Sequence, residues 1–237
     1  MVNVLVEGAG GRGIRLSEAQ VAQFARYLSL LMERSAQVNL IGRAPAEVVV
    51  QRHFVESLAL GAALREREIM RPDATVLDLG AGAGLPGIPL KIAWPGLRLT
   101  MVDATAKKTA FMREAVAALG LGDVRVVTGR AETLGHDAEL RGQFDLVLAR
   151  ALAPLAVLLE LALPFARVRG HVVSPKGSRA AEELEAAQHA LEVLGARART
   201  LPFDVAGPPQ TLIVVAKERE TAGEYPRRDG VPSQAPL

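Results

Sequence analysis

The stretch Leu77-Asp78-Leu79-Gly80-Ala81-Gly82-Ala83-Gly84-Leu85-Pro86-Gly87 decides how the rest of the chain is read. An apolar run that passes into alternating glycines marks a strand turning sharply into a helix. Glycine there permits the turn and a close approach of backbone to ligand. Two ligands compete for such a loop. Gly82 to Gly87 formally match the dinucleotide fingerprint, in which a pyrophosphate sits on the helix N-terminus. Read from Asp78, the stretch is instead Asp-x-Gly-x-Gly-x-Gly, with a carboxylate at the strand end facing the glycines. A carboxylate repels pyrophosphate and attracts an ammonium or a sulfonium, so Asp78 favours S-adenosylmethionine. Asp103, 23 residues beyond Gly80, ends the next apolar run. It is placed to accept from ribose hydroxyls, a role common to both ligands. A glycine turn that merely packs helix on strand is the plain alternative, and so many features in register disfavour it.

Outward from this loop, short apolar runs alternate with helical stretches. The expected strands are 75–79, 98–103, 124–128, 144–149 and 171–174, and the expected helices lie near 88–94, 107–119, 155–165 and 178–194. Such alternation implies parallel strands covered by helices on both faces. Residues 197–205 and 210–217, parted by Gly207-Pro208-Pro209, read as an antiparallel pair. On the other side of the loop, Ser17-Glu18-Ala19-Gln20 is a capping box for an amphipathic helix carrying Val21, Phe24, Leu28 and Leu31. Pro45 opens a second helical run through Leu64. The expected fold class is α/β, a mostly parallel seven-stranded sheet with an antiparallel C-terminal hairpin and an N-terminal helical extension. The expected organisation is an extension over 1–72 packed on a core over 73–220, then a C-terminal tail over 221–237.

Composition narrows the chemistry. The chain has 237 residues, 28 Lys+Arg against 26 Asp+Glu, and no cysteine. That excludes disulfides, thiolate metal centres and any cysteine nucleophile. The net charge of +2 is spread without a basic arm, so a nucleic-acid surface has to be made by folding. Residues 1–14 read as a frayed end rather than a signal peptide. No apolar run approaches the roughly 20 residues that span a bilayer, so a soluble, cytoplasmic protein is expected.

The sequence resembles the ribosomal RNA small-subunit methyltransferase G family, also called glucose-inhibited division protein B. The resemblance rests on Asn39-Leu40, Arg52-His53-Phe54 with Ser57-Leu58, the glycine loop, and Asp103 with Lys107-Lys108. It continues through Gly129-Arg130-Ala131-Glu132, Ala149-Arg150-Ala151-Leu152-Ala153-Pro154-Leu155, Lys176-Gly177 and Tyr225-Pro226-Arg227-Arg228. It implies a Rossmann-like S-adenosylmethionine-dependent methyltransferase fold and transfer of a methyl group to guanine N7 in 16S rRNA, with S-adenosylhomocysteine as product. The partner so implied is the 30S subunit or an assembly intermediate, met by a monomer. Asp78, Gly80, Gly82, Gly84 and Leu85 are the loop-side cofactor candidates. The resemblance further implies that Asp103, Ala104 and Thr105 hold the ribose, that Ala131 and Glu132 meet the adenine, and that Arg150 closes the pocket. The family often has Thr at Ala81, Phe at Leu85 and Asp at Glu56, which are mild departures.

The chemistry agrees with what the chain lacks. Guanine N7 carries an in-plane lone pair and no proton, so it needs alignment rather than a base. Covalent pyrimidine chemistry needs a cysteine. Exocyclic-amine methylation usually follows an Asn or Asp before Pro-Pro-aromatic, where this chain has Ala149-Arg150-Ala151-Leu152-Ala153-Pro154. No protein nucleophile or metal is expected. Positioning candidates are Arg52, His53, Arg150 and Lys176, each of which has a structural alternative. RNA-contact candidates are Lys107, Lys108, Arg227 and Arg228, with Tyr225-Pro226-Arg227-Arg228 equally suited to packing on the body. Two rival readings share the cofactor site: a small-molecule methyltransferase, and a non-catalytic cofactor-binding RNA module.

Overall fold

A computed structural model describes residues 2–35 and 40–237. Asn39, part of the resemblance, lies outside the described residues. Helices α1 (Val2–Gly10), α2 (Glu18–Ser35) and α3 (Ala46–Val49) come first, and α3 runs into a π-helical turn (Val50–Val55) and α4 (Glu56–Glu66). Then follow β1 (Thr75–Leu79), α5 (Gly87–Ala93), β2 (Arg98–Asp103), α6 (Ala106–Ala118), β3 (Val124–Thr128), α7 (Ala131–Leu134) and β4 (Phe144–Leu148). The chain ends with α8 (Leu155–Ala162), β5 (Ala166–Lys176), α9 (Ala180–Ala186), α10 (Gln188–Leu194), β6 (Ala196–Phe203), β7 (Gln210–Lys217) and α11 (Val231–Gln234).

The seven strands stand in the order β3-β2-β1-β4-β5-β7-β6. β1 pairs in parallel with β2 and β4, β2 with β3, and β4 with β5, while β7 runs antiparallel to both β5 and β6. Strand order reverses between β1 and β4, and at that switch point a crevice opens beyond the carboxyl ends. Alternate residues of each strand serve opposite faces, as period-2 geometry requires. Val76, Leu99, Met101 and Leu146 join the core under α2, α4, α5 and α6, whereas Leu77, Val102, Val147 and Val172 join a second core under α8 and α10.

The capping box forms as the sequence requires: Ser17 N donates to Gln20 Oε1 at 2.9 Å and Gln20 N to Ser17 Oγ at 3.2 Å. Gln20 Nε2 also donates to Ile92 O at 2.7 Å, tying α2 to the end of α5. Three expectations need correction. Residues 2–10 form a helix with Leu5 and Ala9 buried against the π turn, so the start is packed rather than frayed. The run after Pro45 contains the π turn, and the stretch 178–194 breaks at Ala187 into α9 and α10. Among the described residues, no helix is long and apolar enough to cross a membrane.

Candidate cofactor site

β1 delivers Leu79 to the sheet edge, and the chain then turns through Gly80, Gly82 and Gly84 at φ of +72°, +59° and +85°. A side chain at Gly80 would place its Cβ 2.7 Å from Leu152 Cδ1, and one at Gly84 would meet Ile88 Cδ1 at 2.5 Å. The absence of a side chain at Gly80 therefore lets Leu152 pack on the loop, and that at Gly84 lets the loop lie on α5. Tyr27 of α2, buried and stacked on Phe54 at 5.2 Å, donates its hydroxyl to Ala83 O at 2.6 Å. The helical extension thus holds the loop from behind.

Two carboxylates fix the loop from the sheet side. Asp103 accepts from Gly82 N at 3.0 Å through Oδ2 and from Thr105 N at 2.8 Å through Oδ1. Each oxygen retains acceptor capacity. Asp78 is fully buried and accepts from Gly87 N at 2.8 Å. Burial pushes its carboxyl up to about 7, against the opposing pull of the Gly87 N–H and the Arg150 charge, with the Asp103 charge adding to the rise.

A cavity of about 210 Å³ lies beyond the ends of β1, β2 and β3. Gly80, Asp103, Ala104, Ala131 and Glu132 line it, joined by Leu152 and, from the C-terminal helix, Ser233. The remaining cofactor candidates, Asp78, Gly82, Gly84, Leu85, Thr105 and Arg150, are not among its lining residues. Asp78 caps α5, Gly82 and Thr105 donate to Asp103, and Gly84 packs on Ile88. Glu132 is buried. Burial raises its carboxyl, but bonds from Arg130 (2.7 Å), its own backbone and Gly230 (3.2 Å) outweigh that and lower it overall.

Ion pairs hold several of the other candidate residues. Arg150 Nη2 donates to Glu56 Oε2 at 2.6 Å and to Arg52 O at 3.2 Å, joining the segment after β4 to the extension. His53 sits between the Arg150 and Arg52 charges; burial first, then those charges, lower it to about 4, so it is neutral at neutral pH. Lys176, a positioning candidate, is paired within the protein. It donates to Ala153 O at 2.9 Å and pairs with Glu183 at 2.7 Å, and Glu183 also receives Leu155 N. Arg227 is likewise committed, to the fully buried Glu160 of α8. Arg52, Lys107 and Arg228 are exposed, and Lys108 is half-buried 3.8 Å from Asp103.

Sequence reasoning missed Tyr27, Glu160 and Ser233. A lone carboxylate in the apolar run Leu155-Ala156-Val157-Leu158-Leu159-Glu160-Leu161 was a usable sign of a buried pair. Nothing local marked the other two.

A switch-point crevice under a glycine loop, two strand-end aspartates and a reversed last strand define a Rossmann-like methyltransferase. Solved structures agree on the fold. The precorrin-6y C5,15-methyltransferase of Geobacter metallireducens GS-15 superposes at a TM-score of 0.51 with 18% identity, over 69% of this chain and 88% of that one. A ribosomal protein L11 methylase from Lactobacillus delbrueckii subsp. bulgaricus gives 0.51 with 22% identity, over 71% and 79%. Residues 20–212 match the family described as rRNA small subunit methyltransferase G. The ribosomal RNA small subunit methyltransferase G of Roseiflexus sp. (strain RS-1) is 42% identical over the whole of both chains. That of Deinococcus radiodurans is 46% identical over 99% of this chain and 92% of its own. The chain belongs to the rRNA small subunit methyltransferase G family. It is an enzyme of the methyltransferase class, with S-adenosylmethionine as cofactor.

Proposed function

We propose that the chain methylates N7 of a guanine in 16S rRNA, acting as a cytoplasmic monomer on the 30S subunit or an assembly intermediate. The residues present fit the cofactor. Gly80 brings bare backbone to the cavity wall, and the acceptors Asp103 and Glu132 follow one another along the sheet edge at the ends of β2 and β3. Asp103 would hold the ribose hydroxyls with its remaining lone pairs. Glu132 and Ala131, one strand further, would meet the adenine. Asp78 acts from beneath the loop, where its charge favours the cationic methionyl end. S-adenosylmethionine supplies an electrophilic methyl carbon on a sulfonium and leaves as S-adenosylhomocysteine.

The choice of atom rests on one observation: the carboxylates described at the cavity and in its flanking segments are engaged within the protein, and Asp78, pushed up to about 7, is buried on Gly87 N beneath the loop. Glu56 pairs with Arg150, Glu132 with Arg130 and Glu183 with Lys176, and Asp103 holds two backbone amides. His53, held near 4, is a weak base. An amine or hydroxyl nucleophile asks for a group that takes its proton, whereas N7 has none to lose. The protein's task is then to bring nucleophile, methyl and sulfur into line. The exposed Arg52, Lys107 and Arg228, with Lys108, are the cations proposed for RNA phosphates.

Incubation with 30S subunits and isotopically labelled cofactor, followed by mass mapping of the rRNA, tests this. A single N7-methylguanosine is the expected product. Label on an exocyclic amine would refute the choice of atom. Label found only in small molecules would favour the small-molecule enzyme, and bound but intact cofactor the non-catalytic module.

A further inference from the structure

The last residues of the chain reach the cavity by a route that no local pattern announces. Glu160, fully buried in α8, accepts three bonds from Arg227: from the backbone N at 2.8 Å, Nε at 2.8 Å and Nη2 at 2.6 Å. A carboxylate so deep needs its partner, and the partner brings the tail with it. Arg141 donates to Thr221, Ala222 and Tyr225 carbonyls, and His136 Nε2 bonds Pro226 O at 2.7 Å. Past this root the chain turns toward β3. Asp229 pairs with Arg130 at 3.1 Å, Gly230 N donates to Glu132 Oε1 at 3.2 Å, and Arg227 Nη2 also holds Ala235 O at 2.8 Å. The tail therefore grips the segment 129–132, which lines the cavity, and Ser233 lines it too. The bonds from Arg130 and Gly230 both fall on Glu132 Oε1.

We infer that residues 225–237 form a strap that is the purine-side wall of the cofactor cavity, with Ser233 offering its hydroxyl to the edge of the ring. This rests on the cofactor placement proposed above. Ser233 is solvent-exposed on the cavity side, so a bulky residue there fills the compartment without entering the core. A hydroxyl both donates and accepts, which suits a purine edge that carries both kinds of group.

Calorimetry with S-adenosylhomocysteine and with adenosine tests the inference on the full chain. Ser233→Trp is expected to weaken both ligands by about tenfold or more, since it displaces the ring itself. Ser233→Ala is expected to weaken both by about threefold, the loss of one net hydrogen bond, with unchanged melting temperature. Wild-type affinity of Ser233→Trp for S-adenosylhomocysteine would overturn the strap as a wall. So would a loss confined to S-adenosylhomocysteine with adenosine unaffected. If the wild-type protein bound neither ligand, the cofactor reading would fall first and this inference with it.

Discussion

Replacing Asp78 by Asn isolates the cost of a buried charge beneath the glycine loop. Gly87 N donates to the Asp78 carboxylate at 2.8 Å, and Asn keeps an acceptor in that place without a titratable group. Burial moves the carboxyl from 3.8 to about 7. In the unfolded chain the same group ionises at its ordinary pH. Between pH 4 and 7 the native state therefore holds a proton that the unfolded state has released, and stability falls as pH rises through that window. A shift of about three units corresponds to roughly 4 kcal/mol in full, of which about 2–3 kcal/mol falls between pH 5 and pH 8. Urea unfolding of wild type and Asp78→Asn at the two pH values reads this directly. Relative to wild type, the Asn variant is expected to gain about 2–3 kcal/mol on going from pH 5 to pH 8. A stability difference independent of pH would refute the reasoning, because it would mean that the buried carboxyl ionises as it does in water. The same variant is expected to bind S-adenosylhomocysteine more weakly, since it gives up the charge that favours the ligand's ammonium.

Three further outcomes follow from the hydrogen-bond pattern. Asp103→Ala strips the acceptor from Gly82 N and Thr105 N as well as from the ribose, and is expected to weaken cofactor by about tenfold or more in calorimetry; unchanged affinity would remove Asp103 from the site. Tyr27→Phe keeps the ring stacked on Phe54 but leaves Ala83 O without its donor, at a cost of about 1–3 kcal/mol by chemical denaturation. Arg227→Ala removes the guanidinium from the buried Glu160, leaving it only the backbone N–H of residue 227, and should cost about 3–5 kcal/mol, whereas joint replacement of both by leucine should recover most of that; equal losses in the single and double variants would contradict it.

The strands were legible because each is a short apolar run ended by a turn. β1, β2, β3 and β7 begin and end where the pattern places them. The glycine loop and the strand-end aspartates were legible for the same reason, being local. What escaped reading was nonlocal or out of period. α1 is rich in glycine and weakly patterned, and it is held by the π turn it packs on. The π turn itself is invisible to a 3.6-residue rule because it carries extra residues per turn, and it bears Arg52 and His53. For Lys176 and Arg227 the sequence left a functional and a structural role open, because nothing local pairs them with Glu183 and Glu160. Asp78 was assigned to the ligand side, and its nearest donor proved to be the helix that the loop opens.

These contacts bear on what the core is. The span 73–220 carries the sheet and the aspartates, yet Tyr27 holds the loop and Glu56 holds Arg150, both from the extension. The cavity's far wall depends on Arg227 and Gly230, from the tail. A fragment of 73–220 alone would leave the apolar face under α2 and α4 uncovered and Glu160 without its partner, so it is expected to aggregate or stay partly unfolded. Restoring 1–72 while omitting 221–237 covers that face but leaves Glu160 unpaired and the cavity open beside Glu132. Such a chain is expected to fold with lower stability and to lose affinity for S-adenosylhomocysteine. Preorganisation is the reason: a reaction that needs alignment more than acid or base chemistry depends on how tightly its cofactor is walled in. Full-strength binding by the tail-less protein would show that the sheet edge suffices, and that the tail serves only to cover Glu160.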